Sequence, residues 1–271
     1  MKYNFDFSDV RNLINEKFGN INFVEEGHHY YIDDEEYIPV SNVISEYEPY
    51  VDWDEKAEIY ARKHGRLKDD VQRDWKLTNL KSTISGTRTH EFGESYTWLK
   101  AGFPEKICEA NRPQYVKEYN TLVSTYPKED AIKKFYDELD NNIKPIGAEF
   151  KLSSKYIEGA RKMCGTCDIL FWDENLGGYV IGDWKTNKSL VKEYSRNYNI
   201  TMKVPFGNMI DEPFSHYTLQ FNLYRRMLES IGLNIVDMRL IWLKTDGDYN
   251  VYSINKIDDN ILDEVIKKGE K

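Results

Sequence analysis

The chain has 271 residues, of which 40% are hydrophobic and 31% are charged, and its formal net charge is −9 at pH 7. This composition is typical of a globular protein and excludes disordered, collagen-like and low-complexity chains. The acidic balance excludes a strongly basic nucleic-acid coat, so that a nucleic-acid site has to be a local patch. The sequence has neither an apolar run long enough to cross a membrane nor the apolar segment of a signal peptide, and we expect a cytoplasmic protein.

Charge is distributed unevenly along the chain. Residues 25–58 include twelve acidic side chains and one basic one, whereas residues 151–203 include nine basic and six acidic ones. We interpret the acidic stretch as a solvated face, and the alternative is a wall that repels phosphate or a dock for a basic partner.

Cysteine usage excludes two kinds of site. The three cysteines, Cys108, Cys164 and Cys167, are too few for a disulfide framework or for a four-thiolate iron–sulfur cluster. Cys164 and Cys167 form a C-x-x-C pair, which we interpret as small buried packing residues, with a redox or metal role as the alternative.

Hydrophobic periodicity predicts mainly helices in the first half of the chain, with a short β-hairpin. Val10, Ile14 and Phe18 recur at helical spacing, and the short runs at 21–24, 28–32 and 36–40 are typical of strands. The predicted helices are 8–18, a short one capped by Ser41, 55–64, one from Ser85 or Thr87 to Gly102, and further helix within 103–148.

The pattern changes after Pro145 to short runs rich in β-branched and aromatic residues. The predicted strands are 149–153, 167–172, 178–186, 236–244 and 249–254. A helix is predicted from Pro213 to Ser230 and another at 258–268. We therefore expect a single domain of the α+β or α/β class over residues 1–271, with a mixed central sheet flanked by helices and a mainly helical part at 1–145.

Acidic side chains and a lysine meet on one face of the predicted sheet. Residues two apart in a strand share a face, so Asp183 and Lys185 point the same way. If the turn ENLGG is centred between Asn175 and Leu176, residues whose numbers sum to 351 pair, and Asp168 lies opposite Asp183. Two buried carboxylates are costly without a cation between them, and oxygen ligands suit Mg²⁺ or Mn²⁺.

Other polar residues can extend this group. Glu149 offers a third carboxylate from the first strand of the sheet block, and His90 offers an imidazole from an earlier helix. Gln220 and Tyr224 are four apart in the 213–230 helix and therefore share a face. Polar side chains there can hold a phosphate or a base edge.

The chain resembles the RecB-like branch of the PD-(D/E)XK nuclease superfamily. The matching segments occur in the family's order, and they are GTRTHEFGE around His90, GAEF around Glu149, GTCD ending at Asp168, GDWKT with Asp183 and Lys185, and QFNLY with Gln220 and Tyr224. The segment HHYYIDDEEYIPVSNVIS also resembles the start of stand-alone exonucleases of the phage and mitochondrial genome maintenance type. The likeness covers residues 28–245.

The resemblance implies a PD-(D/E)XK core and a DNA exonuclease that depends on one or two Mg²⁺ or Mn²⁺ ions and contains no iron–sulfur cluster. His90, Glu149, Asp168 and Asp183 would ligate metal, with Glu149 the position at which the family varies. Lys185 would position or deprotonate the attacking water, and Gln220 and Tyr224 would orient DNA or that water.

The basic residues that follow the lysine, Lys188, Lys192 and Arg196, are candidate contacts for backbone phosphates. The expected partner is DNA, as single strands or ends, in replication, recombination or repair, with a single-strand-binding or recombination protein as a further candidate and no membrane. If the protein is phage-encoded, its compartment is the host cytoplasm.

Two alternatives stay open at this point. A non-catalytic protein that binds DNA ends can be built on a nuclease fold, since fold does not fix activity. A structure-specific endonuclease would use the same side chains on branched or double-stranded DNA.

Overall fold

The computed structural model describes residues 6–24, 27, 29–103, 114–116, 121–123 and 126–268. The strands are β1 (Asn22–Val24), β2 (His29–Ile32), β3 (Glu35–Pro39), β4 (Gln114–Val116), β5 (Thr121–Val123), β6 (Ile143–Ser153), β7 (Met163–Asp173), β8 (Gly178–Lys185), β9 (Ile235–Leu243) and β10 (Tyr249–Ser253). The helices are α1 (Ser8–Phe18), α2 (Val40–Ser45), α3 (Trp53–His64), α4 (Lys68–Lys100), α5 (Tyr126–Glu138), α6 (Glu193–Asn197), α7 (Pro213–Glu229) and α8 (Asp259–Ile266).

A mixed eight-stranded sheet organises the fold, in the order β1-β2-β3-β7-β8-β9-β10, with β6 paired to the other side of β7. The β7–β8 hairpin is antiparallel, and β8 pairs with β9 in parallel. β3 joins the first residues of β7 in parallel. This is an α+β fold with a mixed sheet and flanking helices, as the sequence predicts.

Alternation along β8 separates two hydrophobic layers. Ile181 packs into the larger layer with residues of α1, α2, α7 and α8. Val180 and Trp184 pack into the smaller one with Phe92 of α4 and Phe135 of α5. Asp183 and Lys185 follow Ile181 at spacings of two, so that the sequence places them on the α7 side of the sheet.

The register of the hairpin is the predicted one. Ile169 pairs with Gly182 and Leu170 with Ile181, and each pair sums to 351. The turn is stabilised by the Asp173 carboxylate, which accepts hydrogen bonds from the backbone N–H groups of Asn175 and Leu176.

The prediction that a helix begins at Ser85 or Thr87 is wrong, because α4 already begins at Lys68. The hydroxyl of Thr89 donates to the carbonyl of Ser85, and that of Ser82 donates to Thr78. Hydroxyls bonded to the carbonyl four residues earlier do not cap a helix, and they are compatible with its interior. The short helix α2 likewise begins at Val40, and Ser41 does not cap it.

The helix predicted within 103–148 is also partly wrong. Of this range, residues 104–113, 117–120 and 124–125 lie outside the described residues, as does Cys108. The described remainder contains the β4–β5 pair, α5, and the start of β6 at Ile143. Pro145 fits in β6 because β7 is its one partner among the described strands and the pairing has a register shift between Pro145 and Gly147.

The part at 1–145, predicted to be mainly helical, also supplies strands to the main sheet. These are β1, β2 and β3, and they extend the sheet beyond β7.

Cys164 and Cys167 are free and buried, as the packing interpretation requires. Burial raises the pKa of the Cys164 thiol to about 12. None of the helices in the described part of the chain combines the length and apolar character needed to cross a bilayer.

Candidate metal centre

Asp168 and Asp183 lie where β7 and β8 separate. The last paired residues of the hairpin are Ile169 and Gly182, and the two aspartates follow directly beyond them. β8 nevertheless continues beside β9 as far as Lys185. The backbone N–H of Trp184 is thereby free to donate to Asp168 Oδ2 at 3.1 Å, which holds this carboxylate in place.

His90 reaches the two aspartates from α4. Its Nδ1 lies 3.0 Å from Asp168 Oδ2. Gly93, one turn later, lets the helix approach the sheet, because a Cβ there would lie 2.6 Å from Trp184 Nε1. His90, Asp168 and Asp183 place one possible ligand atom each within 4.8 Å of one another.

The Asp183 carboxylate is incompletely satisfied. Its Oδ2 forms an ion pair with Lys185 Nζ at 2.7 Å, whereas Oδ1 is buried and has no hydrogen-bond partner among the described residues. Burial and the nearby charge of Asp168 raise the pKa of Asp183 well above its usual value. A buried carboxylate oxygen without a donor is costly, and a cation at this position would satisfy it.

The charges of His90 and Asp168 depend on each other. Burial alone would lower the pKa of His90, but Asp168 raises it to about 9. Burial alone would raise the pKa of Asp168, but the adjacent His90 holds it well below its usual range. In the protein without a metal ion, these two groups therefore form a charged pair.

Lys185 is held from three sides. Besides the Asp183 ion pair, its Nζ donates to Gln220 Oε1 at 3.0 Å and lies 4.2 Å from the centre of the Tyr217 ring. Burial alone would lower the pKa of Lys185, but Asp183 and Asp168 raise it. The ammonium group is thus fixed beside the carboxylates with its charge retained.

Gln220 and Tyr224 continue this chain of contacts along α7, and they share a face as predicted. Gln220 Nε2 donates to the Tyr224 hydroxyl at 3.0 Å. Tyr224 is buried against Gly165, where an added Cβ would lie 2.5 Å from the ring. Tyr224 consequently acts on the site through Gln220, and Gln220 acts through Lys185. A direct contact of either residue with DNA stays a prediction.

Glu149 lies beside the three-residue group. Its neighbours in β6 pair with Ile169 and Cys167, which places Glu149 opposite Asp168. Its backbone has a φ of 56°, a left-handed conformation that a non-glycine residue adopts at a cost. Burial and the charge of Asp168 raise the pKa of Glu149 to about 8. The structure brings this residue to the predicted place but outside the compact His90–Asp168–Asp183 group.

The three predicted phosphate contacts differ in their surroundings. Lys192 forms an ion pair with the buried Asp211. Arg196 binds Glu212 through two hydrogen bonds, at 2.7 and 2.8 Å. Lys188 instead lines a cavity of about 960 Å³ next to the end of β8. Of the three, only Lys188 has no ion pair with a described carboxylate.

The residues present fit a divalent cation. Two carboxylates supply the oxygen ligands that Mg²⁺ and Mn²⁺ prefer, and an imidazole completes three ligands of a site that keeps positions open for water or substrate. The unsatisfied Asp183 Oδ1 is the observation that favours an ion over a purely structural cluster. His90 would ligate through Nδ1, which faces Asp168, or through Nε2 after rotation of its ring.

Tyr217 and Asn187 belong to the site but were not predicted from the sequence. The Tyr217 hydroxyl donates to Asn187 Oδ1, and the Asn187 carbonyl accepts from Trp242 Nε1 at 2.7 Å. Tyr217 lies three residues before Gln220 and hence on the same helix face, a spacing that could have identified it. The position of Asn187, just after β8, carries no such periodic signal.

No protein-family profile matches the chain, and no curated protein is significantly similar to it. The likeness to RecB-like nucleases therefore stays a prediction from the motifs.

Proposed function

We propose that this protein is a Mg²⁺- or Mn²⁺-dependent deoxyribonuclease with a PD-(D/E)XK core of the RecB-like branch, hydrolysing phosphodiester bonds from free single-stranded DNA ends. The observation that carries the proposal is the buried, unsatisfied Oδ1 of Asp183, a residue that offers a ligand atom within 4.8 Å of those of His90 and Asp168 and lies next to a fixed lysine. Two acids, a histidine and a lysine in this arrangement suit the hydrolysis of an anionic ester. The preference for free single-stranded ends comes from the motif resemblance alone.

His90, Asp168 and Asp183 would hold the ion, and Glu149, opposite Asp168 in the sheet, is a candidate ligand for a second ion. When bound, a divalent ion neutralises the phosphodiester charge and lowers the pKa of a coordinated water. The carboxylates thus act only as ligands, and their proximity is no longer unfavourable once a cation lies between them.

Lys185 supplies positive charge beside the reacting phosphate. Its Nζ is held by Asp183 and Gln220, at 2.7 and 3.0 Å, so that the ammonium group needs no reorganisation when charge develops in the transition state. Gln220 and Tyr224 are positioning residues in this proposal, because Gln220 holds Lys185 and Tyr224 holds Gln220. Tyr217 limits the approach of water to the ammonium group from the side of its ring.

The proposal is tested by a time course on three end-labelled DNAs: linear single-stranded, linear double-stranded and closed circular single-stranded. Each is incubated with Mg²⁺, with Mn²⁺ and with chelator, using wild type and Asp183→Asn. We expect metal-dependent loss of the linear single strand with the circle intact, and no loss with the variant.

Three results would overturn parts of the proposal. Cutting of the circle indicates an endonuclease, and degradation that Asp183→Asn retains excludes this site as the catalytic one. Binding of DNA ends without cleavage under either metal indicates a non-catalytic end-binding protein.

A further inference from the structure

A large cavity lies next to the candidate metal centre, and four of the side chains that line it are lysines. It has a volume of about 960 Å³ and begins at Thr186, directly after Lys185. Its other walls come from α4, from the start of α5 and from the end of β9. The cavity therefore opens beside the reacting groups without including any of them.

Four lysines line this lysine cavity, namely Lys81, Lys128, Lys188 and Lys244, against one carboxylate, Asp246. Lys244 is neutralised by an ion pair with Asp248 at 3.2 Å. The other three lysines form no ion pair with a carboxylate in the described part of the chain.

Lys128 has neutral partners and no ion pair with a carboxylate among the described residues. Its Nζ donates to the Ser85 hydroxyl at 3.3 Å and to the Thr186 carbonyl at 3.1 Å, both neutral acceptors. Burial lowers the pKa of Lys128, because no negative charge offsets the loss of water around the ammonium group. A bound anion would remove this cost.

We propose that the lysine cavity binds a phosphate group of the DNA strand other than the phosphate that is cleaved. Lysine ammonium groups bind phosphate as point charges, and the hydroxyls of Thr83 and Thr186 can donate to its oxygens. The volume exceeds that of a phosphate and leaves room for the attached sugar. Both a terminal phosphate and an internal backbone phosphate have this chemistry. The inference rests on the proposed function, since it takes the bound strand to be the substrate.

The test measures binding separately from cleavage. Fluorescence anisotropy, with chelator present, gives the Kd of three single-stranded oligonucleotides of one sequence: 5′-phosphorylated, 3′-phosphorylated and unphosphorylated. The proteins are wild type, the double variant Lys81→Gln/Lys188→Gln, and the control Lys63→Gln, an exposed lysine of α3 that does not line the cavity. Thermal unfolding verifies that all three proteins are folded.

We expect the double variant to bind at least about tenfold more weakly than wild type, with a smaller slope of log Kd against log salt by roughly 0.7 for each lost contact. The control keeps the wild-type Kd. A loss restricted to one phosphorylated oligonucleotide assigns the cavity to that terminal phosphate, and an equal loss for all three assigns it to an internal phosphate.

The inference would be overturned if the double variant bound all three oligonucleotides with the same Kd as wild type. Cleavage by wild type with Mn²⁺, measured on the same samples, separates this result from a failure of the proposed function. If wild type cleaves DNA and the double variant binds it as tightly as wild type does, only the proposed role of the cavity is excluded. If the double variant binds more weakly and wild type does not cleave, only the proposed nuclease activity is excluded.

Discussion

Two pairs of buried acids differ in how their charges are satisfied: the first cluster contains Asp168 and Asp183, and the second contains Asp211 and Glu212. Asp183 and Asp211 are buried to the same degree, with side chains 3% and 4% exposed. Asp211 forms an ion pair with Lys192 and a hydrogen bond with His216, and its neighbour Glu212 binds Arg196 through two hydrogen bonds. Among the described residues, Asp183 has one partner, Lys185, for its two oxygens, and it faces a second carboxylate, that of Asp168.

The difference separates a structural cluster from a candidate functional one. In the second cluster, each carboxylate oxygen of Asp211 and Glu212 has a partner. These contacts fix the segment around α6 to the start of α7, and they leave no oxygen free to ligate a metal. A buried carboxylate oxygen without a donor costs free energy in the metal-free protein, and such costs persist where function requires them. The comparison therefore predicts that substitutions at the two clusters affect different properties.

The largest expected effect is on activity at the first cluster. Asp183→Asn should lower kcat on linear single-stranded DNA by roughly 10³-fold or more, since it removes a metal ligand beside the reacting phosphate. Its unfolding midpoint should stay within a few degrees of wild type, because the amide keeps the shape, accepts from Lys185 and can donate to Asp168.

The matched control is Asp211→Asn at the second cluster. It should lower the unfolding midpoint and leave kcat of the folded protein within about threefold of wild type. Kinetics and thermal unfolding of both variants check this pair of results. An inactive Asp211→Asn that is fully folded would remove the distinction between the two clusters.

The second prediction concerns metal binding without activity. Mn²⁺ at about 100 times its Kd should stabilise the wild-type protein by about 2.7 kcal/mol, which raises the unfolding midpoint by roughly 5 °C or more. Asp183→Asn should lose this shift, and Asp211→Asn should keep it. Differential scanning fluorimetry with Mn²⁺ and with chelator measures it. Equal shifts in wild type and Asp183→Asn would place the ion elsewhere.

The third prediction tests the positioning of Lys185. Gln220→Leu keeps the volume but removes the acceptor for Lys185 Nζ, and kcat should fall about tenfold. Tyr224→Phe removes only the hydroxyl that Gln220 contacts and should cost about two- to threefold. Gln220→Glu retains an acceptor and should restore most of the rate.

A purely structural role for Gln220 would give a different pattern. In that case kcat of the folded protein would stay unchanged while its unfolding midpoint fell. The Mn²⁺-induced shift should be the same in Gln220→Leu as in wild type, because Gln220 is not a ligand. Loss of that shift would mean that the substitution disturbs the metal site itself.

The sequence predicts the first cluster well and the second not at all, for a physical reason. Asp168 and Asp183 are related by a short turn and by the two-residue alternation of strands, so their common face follows from the register. Gln220 and Tyr224 follow from helical spacing. Lys192 and Arg196 meet Asp211 and Glu212 across a loop with no periodicity, and from the sequence alone these basic residues were instead expected to bind DNA.

The extent of α4 was also beyond prediction from the sequence. Its serines and threonines are helix-capping residues by type, yet those at 82 and 89 bond to carbonyls within the helix. The predicted end near Gly102 agrees with the observed end at Lys100, so that only the start at Lys68 was missed. Tertiary packing thus decides which interpretation of the same residues is correct.

The smallest expected effect is on the stability of the fold at acidic pH, and it arises from Glu212 of the second cluster. The hydrogen bonds from Arg196, opposed by burial, hold the pKa of Glu212 below its ordinary value of 4.5. A carboxyl whose folded pKa is lowered stabilises the protein above its unfolded pKa, and this stability is lost as the pH falls through the folded pKa. Because Arg196 is 49% exposed, screening limits the contribution to about 1 kcal/mol or less.

Urea unfolding at pH 6 and below pH 4 checks this contribution by comparing wild type with Glu212→Gln. The variant should be less stable at pH 6 and should lose less stability on acidification, since it has no carboxylate to protonate. The contribution of Asp183 to the pH dependence of stability has the opposite sign. Burial and Asp168 raise its pKa, so that protonating Asp183 does not destabilise the folded protein. An identical acid loss in both proteins would show that the Arg196–Glu212 pair contributes nothing measurable, and the two clusters would then differ only in metal binding.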